Sequence, residues 1–203
     1  MSVVEHVGKL TEAEYLALER AAEFKSEFYD GEMFAMAGGT RWHSLIAGNL
    51  IREFGNRLKG RDCVPYESNL RVKVEATGLF TYPDLSVACG EQRFLDREMD
   101  TLLTPTLIAE VLSDSTERYD RSTKFDHYKK ISSLREYLLV RQKEPVIEQY
   151  IRQQGADWLY RQAVGVDTTL AIPSLEITIS LAEIFANVKF VPTPIRPQTP
   201  RPI

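Results

Sequence analysis

Hydrophobic positions along this chain repeat with two different periods, and the switches between them mark out the elements. Ile46, Leu50, Phe54 and Leu58 recur every four residues after Thr40, and Gly60 follows, which predicts an amphipathic helix. An earlier helix is expected over residues 11–22, "TEAEYLALERAA", where Thr11 and Glu14 have the spacing of a capping box. Between the two, Asp30-Gly31 joins two strand-like runs. Both residues tolerate positive φ, so a hairpin is expected there.

A period of two takes over in "NLRVKVEA", which reads as a strand, and "TYPDLSVACG" reads as another. A short helix is expected near residues 91–98, a strand at 107–112 and a helix over 120–132. "EYLLVRQ", "PVIEQYIRQ" and "DWLYRQ" then form an antiparallel meander, followed by a strand in "SLEITIS" and a short helix in "LAEIFAN". This order predicts an α/β or α+β domain over residues 1–190: a mixed β-sheet flanked by helices, with the meander added. The tail 191–203 holds five of the ten prolines and reads as disordered.

Composition narrows the function classes. A chain of 203 residues, 43% hydrophobic and 27% charged, can bury one sizeable core. The net charge of -4 argues against a general polyanion binder and leaves room for a local basic groove. Cys63 and Cys89 lack metal-ligand spacing and read as packing residues in a reducing, cytoplasmic compartment. No apolar run reaches the roughly 18 to 20 residues of a membrane span, and "MSVVEHVGKL" lacks a signal peptide's regions. No membrane partner is expected.

The candidate chemistry starts with one acid. Residues 107–112, "LIAEVL", are apolar on both faces of a strand, yet Glu110 shares a face with Ile108 and Leu112. A carboxylate there needs a partner. Asp84, in "YPDLSVACG", could sit beside it, and two adjacent carboxylates call for a cation. Oxygen ligands suit Mg²⁺. If residues 120–132 are helical, Lys124, Tyr128 and Ile131 share a stripe, so Lys124 can point inward from the first turn. Plainer alternatives stand beside these: a turn acid at Asp84, a buried ion pair at Glu110, an exposed lysine at Lys124.

These residues resemble the "PD…(D/E)XK" signature of the restriction endonuclease-like nucleases, and more closely their Uma-type branch. The likeness runs over about residues 10–187, through "YDGEMFAMAGGTRWHSLIAGNL", "YPDLSVACG", "AEVLSDST" and the helix lysine with its following tyrosine. Leu112 stands where the superfamily has its strand lysine. The Uma-type branch usually lacks that lysine too, and Lys124 matches the helix lysine that takes its place. The resemblance implies a metal-dependent endonuclease acting on nucleic acid, most simply DNA, with Asp84, Glu110 and Glu32 holding Mg²⁺ or Mn²⁺. It implies catalytic roles for Lys124 and His43. A homodimer, of the kind nucleases use to cut two strands, is expected if the meander of residues 136–162 exposes an apolar edge. The plain alternatives are an exposed hairpin residue for Glu32 and a packing histidine beside Trp42 for His43. The helix start is expected to lower the His43 pKa. Arg52, Arg57, Lys59 and Arg61 give the first long helix a basic end that reads as a solvated face. The rival function is a catalytically inactive homo-oligomeric binding protein on the same fold.

Overall fold

The structure, a computed structural model, describes residues 8–190, so the tail expected at 191–203 lies outside the described residues. Helix α1 (Glu12–Ala21) starts with the capping box its sequence implies: the Thr11 side chain accepts from the Glu14 N–H, and Glu14 accepts from the Thr11 N–H at 2.8 Å. Strands β1 (Ser26–Tyr29) and β2 (Glu32–Ala35) form the expected hairpin, with Tyr29 opposite Glu32, Asp30 at φ 49° and Gly31 at φ 83°. Helix α2 (Arg41–Leu58) follows. The Thr40 hydroxyl accepts from the His43 N–H at 3.2 Å at its start, and Gly60, at φ 78°, turns the chain away after its end.

The next strands are β3 (Cys63–Glu67), β4 (Arg71–Val74), β5 (Leu79–Thr81), β6 (Leu85–Cys89), β7 (Thr101–Leu102) and β8 (Leu107–Leu112). After a helical segment come β9 (Glu136–Arg141), β10 (Val146–Arg152) and β11 (Trp158–Val164). They divide between a five-stranded sheet, β2-β1-β5-β4-β7, and a six-stranded sheet, β11-β10-β9-β8-β6-β3. In the second sheet β8 and β9 run parallel while the other neighbours are antiparallel, so it is mixed, and β9-β10-β11 is the expected meander. A hairpin of β12 (Thr169–Ile172) and β13 (Ile177–Ser180) and helix α5 (Leu181–Ile184) close the described chain.

The six-stranded sheet is the middle layer. On one face Leu85, Val87, Ala109 and Val111 meet Ile46, Leu50 and Phe54 of α2 together with β12, β13 and α5. On the other, Ala88, Ile108, Leu112 and Leu139 meet Val72, Val74 and Leu79 of the five-stranded sheet, with Phe125 and Tyr128. Every residue of β8 is therefore buried, which explains its apolar run. Helix α1 covers the outer face of the five-stranded sheet through Tyr15, Phe28 and Phe80.

Four expectations are corrected. "TYPDLSVACG" is not one strand: β5 ends at Thr81 in one sheet, and after Tyr82-Pro83-Asp84 the chain enters β6 of the other. Proline has no N–H for a ladder, so the crossing falls there. Residues 91–98 form no helix, because the Leu95 N–H donates to the Thr101 carbonyl and Phe94 bridges Leu102. The helix expected at 120–132 runs instead as α3 (Glu117–Tyr119), a π-helical turn Asp120–Lys124 and α4 (Phe125–Tyr128). Finally, Cys63 and Cys89 are not separate packing thiols. They stand opposite each other in the β3–β6 ladder and are joined as a disulfide, which removes the spacing argument for a reducing compartment. Among the described residues, no helix is long and apolar enough to cross a membrane.

Candidate active site

Strand register brings the two key acids together. β6 and β8 pair with Leu85 opposite Ala109, so one step further along Asp84 stands across from Glu110 on the same face. Asp84 lies just past the ladder's end. Its Oδ2 accepts from the Val111 N–H at 2.8 Å, satisfying a backbone donor that the ladder no longer reaches. Glu110 is only 5% exposed, and its Oε1 lies 2.9 Å from Lys124 Nζ while accepting from the Tyr128 hydroxyl at 2.8 Å.

Lys124 points inward, as the stripe argument expects, and it does so from the π-helical turn, a geometry often found at functional sites. Asp120, at the other end of that turn, is 3.7 Å from Lys124 Nζ. The lysine's third partner comes from the other sheet: Glu27 of β1 lies 2.9 Å from Nζ and accepts from the Thr81 hydroxyl. His43, in the first turn of α2, places Nε2 3.1 Å from Asp84 Oδ2. Its ring packs against the chain at Gly39, where a Cβ would come within 2.7 Å of Nδ1.

Electrostatics follow from burial and crowding. Burial pushes the Glu110 carboxyl up to about 8, opposed by Lys124 and reinforced by Asp120 and Asp84. Burial likewise raises Asp120, again against Lys124. Burial disfavours the Lys124 ammonium, yet Glu110, Glu27 and Asp120 together hold its pKa well above the ordinary lysine value. The hydrogen bond to Asp84 raises His43, against burial. This corrects the expectation that the helix start lowers it: a carboxylate in direct contact outweighs the partial charge of a helix end.

Four of the sequence-expected residues therefore converge: Asp84, Glu110, Lys124 and His43. Glu32 does not join them. It is exposed at the hairpin tip, two residues beyond the position of Glu27 and roughly 7 Å further out at strand rise. Glu27 occupies the place expected of Glu32, and Asp120 is a further acid that sequence reasoning missed. A signal for Glu27 existed, since the Asp30-Gly31 turn puts Glu27, Tyr29 and Glu32 on one face. Which end of that face meets Lys124 is decided by how the two sheets pack.

The buried cluster forms the floor of a cleft of about 1100 Å³, whose walls are drawn from residues 34–40, 112–117, 141–144 and 189–190. Four carboxyl groups face one ammonium and one imidazole there, and burial favours the neutral form of two of them, Glu110 and Asp120. Among the described residues no three His, Cys, Asp or Glu side chains gather as a ligand set. Mg²⁺ needs only one or two carboxylates and keeps waters for the rest, so Asp84 and Glu110 fit that ion. At the far end of α2 the basic residues serve packing: Arg57 binds Glu53, Glu183 and the Thr178 carbonyl, and Arg52 binds Glu53.

This arrangement of mixed sheets flanked by helices is an α+β fold that a solved structure shares. A solved structure from Anabaena variabilis, described as a putative nuclease belonging to DUF820, superposes with a TM-score of 0.69 at 21% identity, covering 87% of this chain and 97% of that one. The chain belongs to the Uma2 family, "Putative restriction endonuclease", whose model matches residues 12–182. Two relatives come from Synechocystis sp. strain PCC 6803. Uncharacterized protein slr1290 is 36% identical over 183 residues, 90% of this chain and 94% of its own length. Uncharacterized protein sll1609 is 33% identical over 177 residues, 87% and 100% respectively.

Proposed function

We propose that the protein is a metal-dependent endonuclease that hydrolyses phosphodiester bonds of DNA. One observation carries this reading: Asp84 faces Glu110 across the end of the β6–β8 ladder, with Lys124 Nζ 2.9 Å from Glu110 at the floor of an open cleft. Asp84 and Glu110 would hold Mg²⁺ or Mn²⁺, which when bound lowers the pKa of a coordinated water and polarises the scissile phosphate. Lys124 then orients the attacking water and balances charge that grows on the phosphoryl oxygens. Glu27 and Tyr128 fix where Lys124 and Glu110 sit. His43 steadies Asp84, and that hydrogen bond raises the imidazole pKa against burial, which favours a proton-donor role toward the leaving oxygen.

The test is cleavage of plasmid, linear duplex and single-stranded DNA with Mg²⁺ or Mn²⁺, alongside metal titration by calorimetry. Asp84→Asn and Glu110→Gln should abolish metal binding and cut activity by about 10²- to 10³-fold. Wild-type cleavage that survives both substitutions would sink the assignment. A second reading, a non-catalytic homo-oligomer, draws on Leu112 at the superfamily's lysine position and on Leu159, Tyr160 and Val164 exposed on edge strand β11. A self-associating chain that binds no metal and cuts nothing would favour it. A homodimer that cuts is the form expected of the nuclease.

A further inference from the structure

The walls of the cleft differ in chemistry from its floor, and that difference bears on what enters. Phe34, Trp42, Tyr119 and Phe190 all line it. Phe34 is half exposed, and Trp42 carries the Arg41 guanidinium 4.6 Å from its ring. Aromatic rings and an arginine stacked on one of them are the surfaces on which unpaired bases stack. Of the cations lining the cleft, by contrast, Lys124, Arg141 and Lys143 are committed to the protein's own acids, while Lys189 forms no ion pair among the described residues. Lys124 lies between Glu27 and Glu110, Lys143 binds Asp114 at 2.6 Å, and Arg141 binds Glu144 and Glu148. Duplex DNA carries a dense line of phosphates, and proteins that grip it neutralise many of them with Lys and Arg. Here the walls offer stacking where a duplex would ask for charge.

We infer that the cleft takes an unpaired nucleic-acid strand, held by base stacking on Trp42 and Phe34, rather than an intact duplex held by its phosphates. The inference rests on the endonuclease reading for what the floor does to that strand, while the binding itself depends only on the walls. A strand lying on Trp42, one residue before His43, would run past the His43–Asp84 pair towards Glu110. Few phosphate contacts should leave the affinity only weakly dependent on salt.

The experiment is fluorescence anisotropy with a short labelled oligothymidylate and a blunt duplex of equal length, in EDTA so that nothing is cut. The single strand should bind more tightly. Trp42→Ala should weaken that binding by about tenfold, with Trp42→Phe restoring most of it. Should Trp42→Ala fail to melt cooperatively, Phe34→Ala at the half-exposed wall position gives the same comparison. A duplex bound as tightly as the strand, no binding of either, or full affinity in the aromatic variants would overturn the inference. Failure of the two readings is separable. Strand binding through Trp42 without cleavage in any metal refutes the nuclease alone, and metal-dependent duplex cleavage without strand preference refutes this inference alone.

Discussion

Lys124 shows how much one side chain can be asked to balance. It is almost fully buried among Glu110, Glu27 and Asp120, so removing its charge leaves three crowded acids with no counterion. Lys124→Met keeps most of the volume and should cost about 3 kcal/mol of stability by urea unfolding. Adding Glu110→Gln to that variant should recover part of the loss, because it removes one of the buried acids that lost its partner. Additive losses would mean the pair is not coupled. Gly39 acts on the site from the cleft wall. A methyl group there would come within 2.7 Å of His43 Nδ1 and push the ring from Asp84. Gly39→Ala is therefore expected to lower the His43 pKa towards that of a free imidazole, as read by NMR titration, with little change in melting temperature. An unmoved titration would show that the loop yields instead of the ring.

At the scale of elements, what could be read from residues was what local chemistry decides. Thr11 with Glu14, Asp30-Gly31, and the four-residue spacing from Ile46 to Leu58 each carry their own reason to cap, turn or coil. The same is true of Glu110 in an apolar strand, which announced a partner before any partner was in view. Strand β3 gave no such signal: "CVPYE" has a proline and weak alternation, and it survives as a strand because it sits at the sheet edge. Residues 91–98 are charged and free of glycine and proline, hence helix-like alone, but their backbone donors are taken by β7 and its neighbours. Glu27 and Asp120 were missed because their role depends on which surfaces of two distant elements meet. Glu136 of β9 is a similar case. It is fully buried, accepts from the Ser174 N–H at 2.7 Å and from Gln149 at 2.8 Å, and burial raises its pKa. The folded chain therefore holds its proton more tightly than the unfolded chain does. Stability from this group is present in acid and is lost as pH rises from 4.5 through the raised value. Urea unfolding across that range should show the wild type losing stability relative to Glu136→Gln. Parallel curves would place the titration elsewhere.

For the whole molecule, the disulfide and the seam between the sheets matter most. Cys63–Cys89 ties edge strand β3 to β6 across a 26-residue separation, and Cys63→Ser is expected to cost about 3 kcal/mol under oxidising conditions and almost nothing under reduction. Equal stability in both conditions would mean the bond does not form in solution. The seam has a different significance. Glu27 and Thr81 belong to the five-stranded sheet, Asp84 and Glu110 lie at the edge of or within the six-stranded one, and Lys124 bridges the two. Glu27 leaves the ribosome nearly a hundred residues before Lys124 does. Only a piece that runs from Glu27 through Lys124 carries both halves of the cluster, so a shorter nascent chain or a half-docked molecule lacks the site. Synthesis itself thus acts as a safety catch: the cluster exists only once both sheets have closed on the same lysine.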